Sequence, residues 1–303
     1  RPKTRARVSV PGRGMPQGGV INWQSNAANS DVRVSTSPTV NGESISLRLL
    51  SSDQQNAQFG FDRLDLSEGQ SKIVRSLLAQ PNGIVLVTGP TGSGKSTSLY
   101  CFLSSINSVQ RRIITIEEPV EYRLAGVSQI DVKPEIDLTF AKGLRHILRQ
   151  DPNVIMVGEI RDFETAEIAI RAAMTGHLVF STLHTNDAVG GITRLLDMGV
   201  EQFLLASTVR AFLAQRLVRT ICPDCREPVG YPVEYLREIG AIVAYDFKYY
   251  RGTGCENCRQ TGYRGRIAIY EICVVTEGLR RLIINKSTGS ELKQSAVQDG
   301  MIN

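Results

Sequence analysis

Hydrophobic residues fall along this chain in two rhythms. Between residues 31 and 50, Val32 and Val34 and then Ile45, Leu47 and Leu49 alternate with polar neighbours on either side of Asn41-Gly42. A period of two around an Asn-Gly pair predicts an antiparallel hairpin. Farther along, Ile84-Val85-Leu86-Val87 and Val154-Ile155-Met156-Val157 are unbroken apolar runs, as in strands covered on both faces. Stretches read as helices lie between such runs: 68–79, with Ser67 as N-cap and Pro81-Asn82-Gly83 as the stop, a helix opening at Lys95, then 140–149 and 163–174. Strands are predicted at 84–88, 112–116, 154–157, 178–181 and 266–272. Strand and helix in alternation imply an α/β fold, a parallel sheet with helices on both faces.

The flanking stretches read differently. Residues 1–30 are rich in Gly, Pro, Asn and Ser, with Pro11-Gly12-Arg13-Gly14 and Gln17-Gly18-Gly19 as turn signals, and are expected to be poorly ordered. Residues 51–60 are polar, carry Asp53-Gln54-Gln55-Asn56, and read as a linker. Two domains follow: residues 1–57, the remnant of a small α+β domain, and residues 58–303, the α/β core. No internal repeat is visible.

Composition narrows the setting. The chain has 303 residues, 42% hydrophobic and 21% charged, ordinary for a folded protein. The long apolar runs fall far short of the roughly 20 residues that span a bilayer, so no transmembrane helix is expected. The chain opens Arg1-Pro2-Lys3 without an initiator Met or an apolar stretch behind it, which suggests no secretory signal, a piece of a longer protein and a cytoplasmic location. A formal charge of +5 suits polyphosphate ligands, acidic partners or anionic lipid headgroups, and allows nucleic acid without indicating it.

The candidate chemistry begins at Gly89-Pro90-Thr91-Gly92-Ser93-Gly94-Lys95-Ser96, an eight-position phosphate-loop pattern between a predicted strand and a predicted helix. Glycines let backbone N–H groups turn in around phosphates, the helix start adds partial positive charge, Lys95 meets the β/γ oxygens, and the Ser96 hydroxyl can ligate Mg²⁺. A Gly-rich turn with a surface lysine is the bland alternative. Glu159 ends the buried run 154–157 and Gly158, where strand ends line the ligand crevice of α/β sheets. There it can polarise an attacking water or hold the Mg²⁺ shell; a solvated carboxylate paired with Arg161 is the competing reading. Glu117-Glu118-Pro119-Val120-Glu121 offers three more carboxylates for a metal shell, or a charged loop. His177 and His184 bracket the strand 178–181 and can sense a γ-phosphate, although a histidine beside a strand is commonly a satisfied core or cap residue.

A second constellation is Cys222-Pro223-Asp224-Cys225 and Cys255-Glu256-Asn257-Cys258. Two such knuckles supply four thiolates for a closed, structural Zn²⁺ site, and the stretch 226–254 between them must form a small lobe, placed at 220–262. A redox pair is the alternative for either knuckle alone. Cys101 and Cys273 have no partner of this kind and read as buried small residues.

Taken together, the run from Gly89 to Tyr100, the stretch Leu148-Arg149-Gln150-Asp151-Pro152 leading into Gly158-Glu159-Ile160-Arg161-Asp162, Thr175-Gly176-His177 through Ser181-Thr182-Leu183-His184-Thr185-Asn186-Asp187-Ala188, and Ala214-Gln215-Arg216-Leu217-Val218-Arg219 resemble the type II secretion and type IV pilus assembly ATPases. The resemblance covers about residues 31–271. It implies a RecA-like P-loop NTPase core preceded by a truncated α+β domain and carrying a zinc-binding insert. The motor it implies is a hexamer that hydrolyses ATP with Mg²⁺ and works with platform proteins at the inner membrane, with acidic lipid as a further partner. Position by position, residues 89–96, with Thr97 following, look like the nucleotide-binding loop and Glu159 like the catalytic glutamate. Residues 116–121 look like the family's Asp box, with Glu118 where an aspartate is usual and Glu117 as the chosen catalytic carboxylate. His177 and His184 look like its His box. Arg33 and Arg48 look like arginines that reach nucleotide phosphates across the ring; exposed hairpin arginines are the plain alternative. Pro16-Gln17-Gly18-Gly19-Val20 departs from the family's Pro-Gln-Asp-Gly-Arg element, and the chain stops at Asn303, about where family members enter their last helices. The cysteine pairs favour the secretion and assembly branches over retraction motors, which generally lack them.

The reading from another class is a nucleic-acid-translocating P-loop ATPase with a zinc lobe. It calls for aromatics interleaved with a basic groove, and a 6% aromatic content with Tyr249-Tyr250-Arg251 is slender support.

Overall fold

The computed structural model describes residues 15–24, 29–50, 59–241 and 248–301. It divides into two compact units, residues 1–59 with Glu121–Arg123, and residues 60–120 with Leu124–Asn303.

The first unit holds an antiparallel sheet in the order β1 (Gln17–Gln24), β2 (Asn29–Thr39), β3 (Gly42–Leu50). The expected hairpin is β2–β3. Thr39 faces Gly42 as its closing pair, which makes Val40-Asn41 the two-residue connection, with Gly42 at φ +130°. Val32, Val34 and Thr36 are buried on one face, whereas their cross-strand neighbours Ile45 and Leu47 are about half exposed. Poor order was expected across 1–30, yet 17–24 forms a strand paired with β2 from Gln17↔Thr36 to Gln24↔Asn29. The Gly18-Gly19 turn signal loses because β2 offers an open ladder, and Val20, Ile21 and Trp23 favour extended backbone. The remainder of that stretch, and most of the expected 51–60 linker, lie outside the described residues.

The second unit is built on a seven-stranded sheet in the order β12-β9-β4-β8-β7-β5-β6. Its strands are β4 (Gly83–Thr88), β5 (Ile113–Glu117), β6 (Val127–Asp131), β7 (Val154–Val157), β8 (Leu178–Leu183), β9 (Val209–Ile221) and β12 (Tyr263–Val274). All neighbouring pairs are parallel except β9–β12. The buried strands read as predicted: β4, β5, β7 and β8 are buried at every position.

Alternate residues serve opposite faces. Ile84, Leu86, Ile114, Ile116, Ile155, Val157 and Val179 join one apolar cluster with helices α3 (Phe140–Ile147), α4 (Phe163–Met174), α5 (Val189–Asp197), α6 (Gln202–Thr208), α8 (Glu277–Ile284) and α9 (Gly289–Gln298). On the other face α2 (Lys95–Ile106) lays Phe102 on Phe180 of β8, ring centroids 6.1 Å apart. Burying such a ring stabilises by a few kcal/mol, about 3–5 when truncated to Ala. Helix α1 (Glu68–Leu78) starts where its sequence says: the Ser67 hydroxyl accepts from Gln70 N, while Gln70 Oε1 accepts from Ser67 N. That reciprocal pair satisfies two otherwise orphaned donors.

Between β9 and β12 sits a lobe with a short antiparallel pair, β10 (Arg226–Val229) and β11 (Tyr249–Gly252), and a one-and-a-half-turn helix, α7 (Val233–Glu238). Residues 242–247 of the lobe are outside the described set. Among the described residues no helix is long and apolar enough to cross a membrane.

Candidate active site and metal centre

The C-terminal ends of four adjacent strands assemble the candidate active site. After β4 the chain turns through Gly89, Gly92 and Gly94, at φ +144°, +79° and +91°, conformations that L-residues with a Cβ rarely adopt. Two of these glycines are also required by space: a Cβ on Gly89 would lie 2.5 Å from the main-chain oxygen of Gln215, and one on Gly94 2.8 Å from Gln215 Nε2. Gly94 caps α2, so the first turn of that helix presents its N–H groups to the loop.

Lys95 is only 8% exposed, and its ammonium donates to Gly89 O at 2.8 Å and Pro90 O at 3.0 Å. Burial lowers its pKa, partly offset by the negative charge of Glu159. A buried cation resting on carbonyls, beside the Ser93 hydroxyl that is buried without a hydrogen-bond partner, suits an incoming polyanion. Ser96, exposed at the start of α2, and half-buried Thr97 follow it. Pro90, Thr91 and Gly92 form the exposed outer rim.

Glu159 follows β7 by two residues. The turn that aims it is locked by Gly158 N donating to Ile116 O (2.8 Å), Ile160 N to Thr182 O (3.1 Å) and Thr182 Oγ1 to Gly158 O (2.7 Å). Glu159 is not the solvated carboxylate of the competing reading, its side chain being 17% exposed. It lies on the strand-end side of the sheet with Lys95, and it also pairs with Arg161 at 2.5 Å, with His184 Nε2 3.5 Å from its other oxygen. Burial pushes its carboxyl up, but Arg161 and then His184 outweigh that, and the net shift is downward. Arg161 also reaches Glu118 at 2.9 Å, so one guanidinium ties two carboxylates together. Its neighbour Asp162 caps α4 by accepting from Thr165 N at 2.8 Å.

The three carboxylates 117, 118 and 121 do not form a shared metal shell; each is taken by a different partner. Glu117 ends β5 at 4% exposure and accepts from Thr115 Oγ1 (2.5 Å), Gln129 Nε2 (3.1 Å) and the Tyr100 hydroxyl. Burial raises its pKa against these three hydrogen bonds. Glu118 is held by Arg161, and Glu121 lies 3.5 Å from Arg48. With its lone pairs engaged inside the protein, Glu117 is placed as an anchor between α2, β5 and β6.

The two histidines are also separated. His184 directly follows β8 at the strand-end side, whereas His177 precedes β8 and supports the end of α4, its Nδ1 2.8 Å from Ala172 O. A six-residue strand between them spans roughly 20 Å, so within one subunit they cannot address the same phosphate. On the first unit's sheet, Arg33 and Arg48 stand directly opposite each other on neighbouring strands. Like charges so placed repel, and Glu121 offsets Arg48.

The cysteines converge as their spacing predicts. The four Sγ atoms of Cys222, Cys225, Cys255 and Cys258 all lie within 4.8 Å of one another, with Cys222–Cys255 and Cys225–Cys258 at 3.9 Å and Cys255–Cys258 at 3.7 Å. Zn–S bonds of about 2.3 Å in a tetrahedron require edges of roughly 3.8 Å, so the residues fit Zn²⁺. None of the four is in a disulfide. Cys258 accepts N–H bonds from Cys255 (3.2 Å) and Gly262 (3.3 Å), which overcome its burial and bring its pKa down to about 6. Asp224 of the first knuckle accepts from Asn257 of the second (3.0 Å) and from Arg264 (3.1 Å), fastening the two together. Among the described residues this is the one group of three or more His, Cys, Asp or Glu close enough to share a metal. Cys101 and Cys273 are buried, their thiols pushed up by burial to about 11 and about 12.

Several contributors were silent in the sequence. Tyr100 and Gln129 become hydrogen-bond partners of Glu117 only through tertiary contact, while Thr115 stands two residues before it on the same face of β5. Gln215 stood inside a recognised run of residues, without a role.

The family model described as type II/IV secretion system protein matches residues 1–302. The type II secretion system protein E of Aeromonas hydrophila is 51% identical over 287 residues, 95% of this chain and 57% of that protein. The type IV pilus assembly ATPase PilB of Myxococcus xanthus is 46% identical, over 99% of this chain and 54% of its own length. Among solved structures, the pilus retraction motor PilT with bound ADP superposes with a TM-score of 0.64 at 28% identity, covering 96% of this chain and 76% of that one. The chain thus spans little more than half the length of the sequence relatives it matches.

Proposed function

Because the chain belongs to the type II/IV secretion system protein family, we propose that it is the motor part of an ATPase that powers assembly of a type II secretion pseudopilus or a type IV pilus. The observation that carries this is the buried Lys95 in a glycine-built phosphate loop after β4, with Glu159 held after the end of β7, two strands away in the same sheet. A RecA-like core with residues 1–57 as the remnant of a preceding domain is part of this reading.

ATP is the substrate. The loop 89–96 cradles its phosphates, Lys95 meets the β and γ oxygens, and Glu159 orients a water for attack on the γ-phosphorus and accepts its proton. Ser96 would hold Mg²⁺, which would supply neutralisation of phosphate charge. His184, beside Glu159, fits a γ-phosphate sensor. The four thiolates of Cys222, Cys225, Cys255 and Cys258 would hold Zn²⁺ in a structural role. Arg33 and Arg48 complete the site of a neighbouring subunit in a hexamer, which acts in the cytoplasm against platform proteins at the inner membrane.

The test is ATP turnover per subunit against protein concentration, with acidic phospholipid vesicles and single-stranded DNA as parallel additions. Turnover that climbs with concentration or lipid and ignores DNA is the expected result. Strong stimulation by DNA would instead favour a nucleic-acid motor.

A further inference from the structure

Behind the phosphate loop, three buried polar side chains meet between α2, β9 and β12. Ser98 of α2 is 1% exposed, Gln215 of β9 3%, and Tyr270 of β12 7%. Ser98 Oγ donates to Gln215 Oε1 at 2.8 Å and lies 3.4 Å from the Tyr270 hydroxyl. Register places Tyr270 directly opposite Gln215. Leu213, two residues before Gln215 and on the same side of β9, is buried and apolar. An amide in that company costs free energy unless both its ends are engaged.

Ser98 engages the oxygen and thereby fixes which way the amide faces. The nitrogen then lies against Gly94, close enough that a Cβ there would come within 2.8 Å of it, while the main-chain oxygen of Gln215 closes on Gly89 in the same way. One residue therefore touches both ends of the loop, its first glycine and the glycine before Lys95. From this we infer that Gln215 is a positioning residue that braces the phosphate loop from its sheet side, oriented by Ser98, and so sets nucleotide affinity. The inference rests on the reading of residues 89–96 as the nucleotide site.

A brace of this kind acts on binding and leaves the chemistry to Lys95 and Glu159. Gln215→Met keeps the volume and loses both polar ends; Ser98→Ala keeps the amide and frees it to turn. ADP affinity measured by calorimetry on the whole chain is expected to fall about 5- to 10-fold in Gln215→Met, the scale of one hydrogen bond. In Ser98→Ala a smaller fall of about threefold is expected, and the double variant should be no weaker than Gln215→Met, since the two act as a unit. KM for ATP should rise with kcat held. A purely structural role predicts the opposite pattern, a lower Tm without nucleotide and unchanged affinity of the folded protein, and that result overturns the inference. If Gln215→Met fails to fold, Ser98→Ala decides: wild-type affinity there overturns it. Wild-type protein that binds no ADP, or binds it equally well as Lys95→Ala, would overturn the nucleotide-site reading instead.

Discussion

Lys95 and Glu159 differ in what each is needed for, and substitutions separate them. Lys95→Ala removes the buried cation and should abolish nucleotide binding. Glu159→Gln keeps size and most contacts but loses the base, so it should bind ATP and fail to turn it over; equal loss of binding in both, by calorimetry, would contradict the role of Glu159. Arg161 sets the working range of that base. Its hydrogen bond and charge, with His184, depress the Glu159 pKa against burial. A depressed carboxylate is ionised, and stabilising, above the ordinary carboxylate range, and loses that contribution as pH falls through the lowered value. Arg161→Ala should therefore move the acid limb of the kcat/KM profile to higher pH, and an unmoved limb would mean that Glu159 is not the titrating base.

Elements differ in what sustains them. Helices α1, α3, α4, α8 and α9 carry their own N-caps, and α9 has a full capping box in which Glu291 N donates to Thr288 Oγ1 and Thr288 N to Glu291 Oε2 at 2.7 Å. Thr288→Ala should cost about 1 kcal/mol in urea unfolding. Among the described residues of the lobe between β9 and β12, Leu236 is buried, but Tyr231, Val233, Tyr235 and Ile239 are all at least 40% exposed. In the proposed reading the metal site holds the lobe together instead. One zinc per chain is the expected stoichiometry by elemental analysis. Chelation, or Cys258→Ser, should speed amide exchange across 222–262 and leave β4 and β8 protected. Uniform loss of protection would mean that the lobe and core share one cooperative unit.

At the scale of the molecule, the candidate site carries its loop, its glutamate and one histidine on a single subunit, while Arg33 and Arg48 stand on a separate compact unit. In the proposed ring those arginines serve a neighbour's nucleotide. Arg48→Ala should then lower turnover at high protein concentration by about tenfold or more while leaving ADP affinity of dilute protein unchanged. Turnover unaffected at all concentrations would remove Arg48 from the site.

What the chain alone determined was local. Period-two alternation set the β2–β3 hairpin, four-residue apolar runs set the buried strands, and Ser67 set the start of α1, because each reports on neighbours a few residues away. The phosphate loop and cysteine knuckles were legible for the same reason, their chemistry being written in consecutive residues. The sequence did not disclose β9, which follows α6 with no Gly or Pro between them, at Thr208-Val209. It pointed to Glu117 over Glu118 and to His177 and His184 alike, whereas which residue of a pair faces the site depends on sheet order and strand direction. Strand direction put His177 at the far end of β8, and burial gave Glu117 to Tyr100, Thr115 and Gln129. Sheet order likewise placed β9 beside β4, which alone brought Gln215 against both ends of the phosphate loop. Contacts between residues more than a hundred positions apart are decided by packing of the whole sheet, and no local pattern encodes them.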